Sequence, residues 1–392
     1  MIHRDYLIVG AGLSGASACE GIREHDRKGS VTLVGAESYL PYNRPPLSKD
    51  FLKSPKASID KLYHLDAAWY DKNHIELRFD TMVTQFNIER RLAVLRNGQT
   101  IEFRKACLAM GSRPRRPAVA GANLGNVFYL GNLRDALAIK ETAVIQKNIV
   151  VIGGGFIAAE TAASLTESKC KVLLMNRDQY LWQKWLDPET SQWLTQYFAD
   201  RGVILMMQEN LNGFEGKTIL KNIQTKSGNR FAASMALVAV GADPNLELVL
   251  HTPLGSPNGT PVNEYLETDE KGIFAAGDIA LFPDKIFDGV RRVKHWDAAK
   301  EQGKIAGANM TGKKRIKFDY VPYFFSDLFD LSFEFVGDFS FPVGTVKLEG
   351  DRKKKNFIAR YYLGGKLKGI VLCNQHADKA KEARVEVREA QR

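Results

Sequence analysis

Cysteine is scarce and scattered in this chain. Cys19, Cys107, Cys170 and Cys373 stand far apart and form no C-x-x-C pair. Neither a structural zinc site nor a disulfide framework is signalled, no metal is expected, and the four read as core thiols. Long apolar runs are missing too, since no stretch approaches the roughly 18 residues needed to cross a bilayer. Met1 to Asp5 leads straight into a strand-like run rather than into the apolar region of a signal peptide, so a cytoplasmic location without membrane contact is expected. Proline is limited to 14 of 392 residues and hydrophobic residues make up 44%. Such a chain buries a large core, divided into two or three domains.

Acidic residues are outnumbered, and the net charge is +10. The excess is concentrated late: residues 351–392 hold 12 Lys/Arg against 5 Asp/Glu, beginning with Arg352, Lys353, Lys354 and Lys355. A solvated loop and helix face is the simpler reading, and an acidic partner is the alternative. Nucleic-acid binding through these lysines and Lys313 to Arg315 rests on charge alone and is not expected.

What is present is a repeated glycine pattern. The apolar run Tyr6 to Val9 meets Gly10-Ala11-Gly12-Leu13-Ser14-Gly15, then a helix-compatible stretch, then Val31 to Val34. In this strand, turn, helix and strand, Gly10 permits the turn and Gly12 lets backbone N–H groups approach a pyrophosphate. Gly15 allows close helix-to-strand packing. The unit recurs: Ile149 to Ile152 precedes Gly153-Gly154-Gly155-Phe156-Ile157-Ala158, and Lys171 to Met175 follows. Ala158 replaces the third glycine, as the looser fingerprint allows. Two cradles imply two dinucleotides, and a second copy in register is hard to obtain by chance. Gly272 to Asp278 reads as a short buried strand ending in a Gly-Asp turn. Its carboxylate is suited either to a polyol or to a helix N-cap.

Together these residues resemble the FAD-dependent pyridine nucleotide reductases, in the branch of the ferredoxin reductases and apoptosis-inducing-factor-like proteins. The most specific string is Pro41-Tyr42-Asn43-Arg44-Pro45-Pro46-Leu47-Ser48-Lys49. Matches continue at Gly111 to Pro114, Gly153 to Glu160, Leu186 to Glu189, Val240 to Asn245, Gly277-Asp278, and His295-Trp296-Asp297 leading into Glu301-Gln302-Gly303, and thin after about Gly337. The resemblance implies an α/β fold of two nested Rossmann-like dinucleotide-binding domains plus a smaller C-terminal α+β domain. Residues 1–112 and 242–317 would bind FAD, 113–241 would bind NAD(P)H, and 318–392 would form the C-terminal domain. FAD and NADPH and/or NADH are the implied cofactors, in a monomer or homodimer.

The resemblance also implies roles. Lys49 and Glu160 match a lysine and glutamate paired beside the isoalloxazine, where a cation favours the electron-rich reduced ring and a carboxylate fixes the lysine. Arg44 resembles the arginine at the FAD phosphates, Asp278 the carboxylate on the ribityl chain, and Trp296 a residue lining the ring. Simple core packing is the alternative for Trp296. The redox-active cysteine pair of the superfamily's disulfide reductases is missing, since Arg44 to Lys49 occupy that region. Electrons must then leave the flavin directly.

Some positions depart from the pattern. Met175 is followed by Asn176 and Arg177 where NADH-dependent members carry an acidic residue on the ribose. A guanidinium there suits a 2′-phosphate, which points to NADPH. Ala36 stands where an acid is common in the FAD domain, leaving Glu37 to hold the adenosine ribose. Lys294 and Met110 replace a common glutamate and threonine, and Phe325, within Tyr320 to Asp327, stands for a tryptophan. Beyond it, Phe333 to Val336 and Thr345 to Leu348 alternate as in an antiparallel sheet with one wet face. The expected acceptor is a ferredoxin or similar acidic electron-transfer protein. An apoptosis-inducing-factor-like partner-binding flavoprotein and an NAD(P)H oxidase or quinone reductase are the alternatives.

Overall fold

The computed structural model describes residues 2–341, 344–376 and 378–392. Met1, part of the expected lead-in to the first strand, lies outside the described residues. The chain divides into two compact units, each discontinuous in sequence. The first comprises Met1–Asn43, Ile59–Arg113 and Pro244–Tyr323, and the second Arg44–Ser58, Pro114–Asp243 and Phe324–Arg392.

The first unit is built on a seven-stranded sheet. Its strands run in the order Ile75–Arg78, Val31–Val34, Ile2–Val9, Thr100–Leu108, Leu92–Leu95 and Val83–Asn87, and Ile273–Ala275 adds to Thr100–Leu108. The central strands are parallel, with Val9 beside both Val34 and Leu108. Their carboxyl-end halves, Tyr6 to Val9 and Ala106 to Leu108, are buried on both faces and read as continuous apolar runs rather than alternating ones. Ile273–Ala275 pairs in parallel with Ala106 to Leu108, which carries the Gly277-Asp278 turn to the carboxyl ends of these strands. The helix Leu13–His25 follows the first strand and packs on the helix Trp296–Thr311. The approach is close enough that a Cβ on Gly307 would lie 2.0 Å from the Ala18 carbonyl oxygen.

The second unit repeats the design. Five parallel strands run in the order Ile204–Met206, Lys171–Met175, Asn148–Ile152, Met235–Val238 and Val127–Phe128. The helix Phe156–Glu167 follows the strand Asn148–Ile152. A second sheet has five strands in the order Tyr323–Leu328, Leu331–Gly337, Lys366–Cys373, Asn356–Leu363 and Thr345–Asp351. The last of these is largely exposed, giving the sheet its wet edge, and the helix Asp378–Glu389 packs on Leu331–Gly337 and Lys366–Cys373. Trp182, Phe333, Phe335 and Phe357 fill one continuous apolar core of this unit together with Leu174 and Leu237 of the parallel sheet. The α/β architecture with parallel dinucleotide-type sheets and a C-terminal α+β element is the one expected from the sequence.

Candidate functional site

The first glycine turn has the geometry of an anion cradle. Gly10 has φ 114°, and a Cβ there would lie 2.1 Å from the Ala109 carbonyl oxygen, so only glycine fits. Gly15 lets the helix sit against the turn, where a Cβ would come 2.0 Å from the Gly10 oxygen. At Gly12 the opposite holds: a Cβ would meet nothing within 4 Å. Gly12 caps the helix Leu13–His25 without a side-chain hydrogen bond, and the first turn carries no acidic residue. Open N–H groups at the positive end of a helix, with no competing carboxylate, suit a pyrophosphate.

Around this turn the first unit gathers the other expected residues. Glu37 accepts a hydrogen bond from the Tyr42 hydroxyl. Asp278 lies in the short 3-10 turn Gly277–Ile279, whose cap is Ala276, and accepts a hydrogen bond from Ser112 Oγ. The N-cap alternative for Asp278 is thereby removed, leaving a half-buried carboxylate after a buried strand. Arg292 donates to the Asp278 carbonyl at 2.9 Å. Gln302, fully buried, accepts the Gly277 N–H at 2.7 Å. Trp296 opens the helix Trp296–Thr311, and its Nε1 donates to Asn43 Oδ1 at 2.8 Å. It is half-buried rather than packed away in the core. Desolvation, with the Lys294 and Arg291 cations beside it, pushes the neighbouring His295 imidazole down to about 4, so it is neutral at physiological pH.

The second turn repeats this arrangement within the second unit. Gly153 has φ 139°, and a Cβ there would lie 2.2 Å from the Ala239 oxygen. Gly155 caps the helix Phe156–Glu167 without a side-chain bond, and the nearest atom to a Cβ there is the Trp185 ring at 4.0 Å. Ala158, in place of a third glycine, is fully buried, and a Cβ on Gly153 would lie 3.3 Å from its methyl group.

Asn176 and Arg177 differ in their surroundings. Asn176 is buried, its side chain lies over Gly154, and it accepts the Asp178 N–H at 3.3 Å. It braces the loop. Arg177 is exposed, and its Nε lies 3.8 Å from Asp178. Lys184 approaches the same carboxylate at 3.9 Å. Asp178 went unnoticed in the sequence because it stands two residues beyond Asn176, where no motif directs attention.

Lys49 and Glu160 do meet, both within the second unit. Lys49 follows the 3-10 turn Pro45–Ser48, and Glu160 sits one turn into the helix Phe156–Glu167. Ser164, on the same helix, donates to the Ser48 carbonyl at 2.8 Å and fastens the two segments together. Lys49 Nζ lies 3.4 Å from Glu160 Oε1. Glu160 is 4% exposed and accepts hydrogen bonds from Ser326 Oγ at 2.6 Å and from Ser48 Oγ. Burial pushes its carboxyl above the usual range, against the pull of Lys49 and the two hydroxyls. Lys49 Nζ also lies 3.3 Å from Asp327 Oδ2 and 4.2 Å from the centre of the Phe325 ring. Arg44, on the same segment, is exposed and donates to the Gly131 carbonyl.

Much of the late basic stretch is used internally. Arg352 pairs with Asp187 at 3.2 Å and Glu189 at 2.9 Å, and donates to Thr190 at 2.8 Å. Lys355 pairs with Asp330 at 2.5 Å, while Lys353 and Lys354 are exposed. The four cysteines are buried and unpaired, and burial pushes the Cys107 and Cys373 thiols up to about 12. None is poised to relay electrons. No helix among the described residues is long and apolar enough to cross a membrane.

Two units built on parallel strands, each with an open glycine-capped helix, form the architecture of a protein with two dinucleotide-type cradles. The sequence profile of the pyridine nucleotide-disulphide oxidoreductases matches residues 4–303, and the chain belongs to that family. It is similar to putidaredoxin reductase of Pseudomonas putida, 29% identical over 94% of this chain and 88% of the relative. Peroxisomal monodehydroascorbate reductase 4 of Arabidopsis thaliana is 31% identical over 94% of this chain and 78% of that protein. The crystal structure of the covalent putidaredoxin reductase–putidaredoxin complex aligns with TM-score 0.93 at 28% identity, covering 100% of this chain and 94% of that one. The chain is an FAD-dependent NAD(P)H oxidoreductase, a flavoprotein of electron transfer.

Proposed function

We propose that this flavoprotein takes reducing equivalents from NAD(P)H, with NADPH accepted, and passes electrons to an iron–sulfur protein of the ferredoxin type. The observation that carries the reading is the full-length likeness to putidaredoxin reductase, which extends through the C-terminal sheet as well as both cradles. Buried thiols support it, because a cysteine relay has no reactive sulfur to use.

Bound FAD supplies two-electron uptake from the nicotinamide and stepwise electron release. The chain's own residues bind and orient. Gly10, Gly12 and Gly15 would seat the FAD pyrophosphate, with Glu37 on the adenosine ribose, Asp278 on the ribityl chain, Trp296 lining the ring and Arg44 at the phosphates. Gly153, Gly155 and Ala158 would seat the nicotinamide nucleotide, with Arg177 toward a 2′-phosphate and Asn176 holding the loop. Lys49 would offer a cation to the redox ring, and Glu160 would fix it. We assign residues 1–112 and 242–317 to FAD, 113–241 to NAD(P)H and 318–392 to the C-terminal domain.

A second reading, reduction of a small organic acceptor, is favoured by the likeness to a monodehydroascorbate reductase. An acceptor panel with NADPH separates the two. Turnover with a ferredoxin that falls as salt is raised supports the protein acceptor, because steering between charged surfaces is screened. Turnover with quinones or organic radicals alone, indifferent to salt, supports the small acceptor.

A further inference from the structure

We propose that Asp327 is a positioning residue that shares the Lys49 ammonium with Glu160, and so sets how much positive charge Lys49 presents to the flavin. This rests on the reading of Lys49 as the cation beside the redox ring.

Three consecutive residues of the strand Tyr323–Leu328 serve the pair. Phe325 puts its ring 4.2 Å from Lys49 Nζ. Ser326 donates to Glu160 Oε1 at 2.6 Å. Asp327 places Oδ2 3.3 Å from Lys49 Nζ, as near as Glu160 at 3.4 Å. Asp327 is also held: its other oxygen, Oδ1, accepts a hydrogen bond from Ser332 Oγ at 2.9 Å. Both of its oxygens are thus engaged, one by Lys49 and the other by Ser332.

The charges decide the direction. Lys49 is nearly buried, and one buried cation needs one counter-charge, which Glu160 already supplies. Adding Asp327 leaves the group of three with one negative charge in excess. The Asp327 side chain is 47% exposed, so solvent screens it more than Glu160. It therefore trims the field of Lys49 rather than cancelling it. An electron-rich reduced ring is favoured by positive charge nearby, so Asp327 holds the flavin potential below the value Lys49 and Glu160 alone would set.

The test is the midpoint potential of the FAD-loaded protein, by equilibrium titration against a reference dye. Asp327→Asn keeps the shape and the Ser332 contact, and should shift the potential to a less negative value, with Asp327→Glu returning it to the parental one. Lys49→Met should shift it the other way. A parental potential in Asp327→Asn, with Lys49→Met shifted, overturns the role of Asp327 and leaves that of Lys49 standing. An unchanged potential in Lys49→Met overturns both.

Discussion

Glu160 accepts a hydrogen bond at 2.6 Å from Ser326, which lies 166 positions further along the chain. Ser48, 112 positions before Glu160, donates to its other oxygen. A buried carboxylate is costly unless its oxygens are satisfied and a cation stands near, and here two hydroxyls and Lys49 meet that condition. Residues from three distant segments of the sequence thus hold one acid in one place.

The two glycines of the first turn should respond differently to substitution. At Gly12 a Cβ meets no protein atom within 4 Å, so Gly12→Val should fold and melt near the temperature of the parental apoprotein yet purify colourless. At Gly15 even a methyl group would strike the Gly10 oxygen, so Gly15→Ala should lose stability by about 1–3 kcal/mol. Visible absorption and thermal melting check both, and a fully yellow Gly12→Val protein would remove the pyrophosphate from this turn.

His295 supplies a pH dependence of stability. Its folded pKa of about 4 lies below its ordinary 6.5, so the folded state binds fewer protons. Its contribution is therefore fully present above the ordinary value and is lost as pH falls through the folded one. In that window stability should drop by up to about 1.4 kcal/mol per pH unit from this group. Denaturant melts of the parental protein and His295→Asn across this range should converge at acid pH, and parallel curves would contradict the assignment.

Arg177 should govern the choice of nucleotide. Arg177→Ala is expected to lower kcat/KM for NADPH by on the order of tenfold, the loss of one charge-assisted contact, while NADH changes little. Steady-state kinetics with both nucleotides decide it. A parental protein that prefers NADH tenfold would show that Asp178, beside Arg177, and not the guanidinium, sets the preference.

The parts legible in the sequence are those encoded locally. The strands around both glycine turns announce themselves because fully buried parallel strands are continuous apolar runs, and the turns because Gly10 and Gly153 adopt left-handed backbone. Lys49 and Glu160 were found through the strings around them, and the structure brings them together. Contacts that depend on tertiary packing left no such trace. Ser326, Asp327 and Ser332 look like ordinary polar positions of a hairpin until the sheet aligns them. Gly307 reads as a helix weakness until Ala18 is seen against it. The Arg352 to Lys355 run reads as one charged face, yet its two ends are spent on Asp187 and Asp330.

The proposed function requires Glu160 and Lys49 to act together at the redox centre. Its most direct test is the anaerobic rate at which NADPH bleaches the flavin, measured by rapid mixing in the parental protein and in Glu160→Gln. The rate should fall by roughly tenfold to a hundredfold in the variant with FAD still fully bound. Bleaching at the parental rate would contradict a kinetic role for the pair.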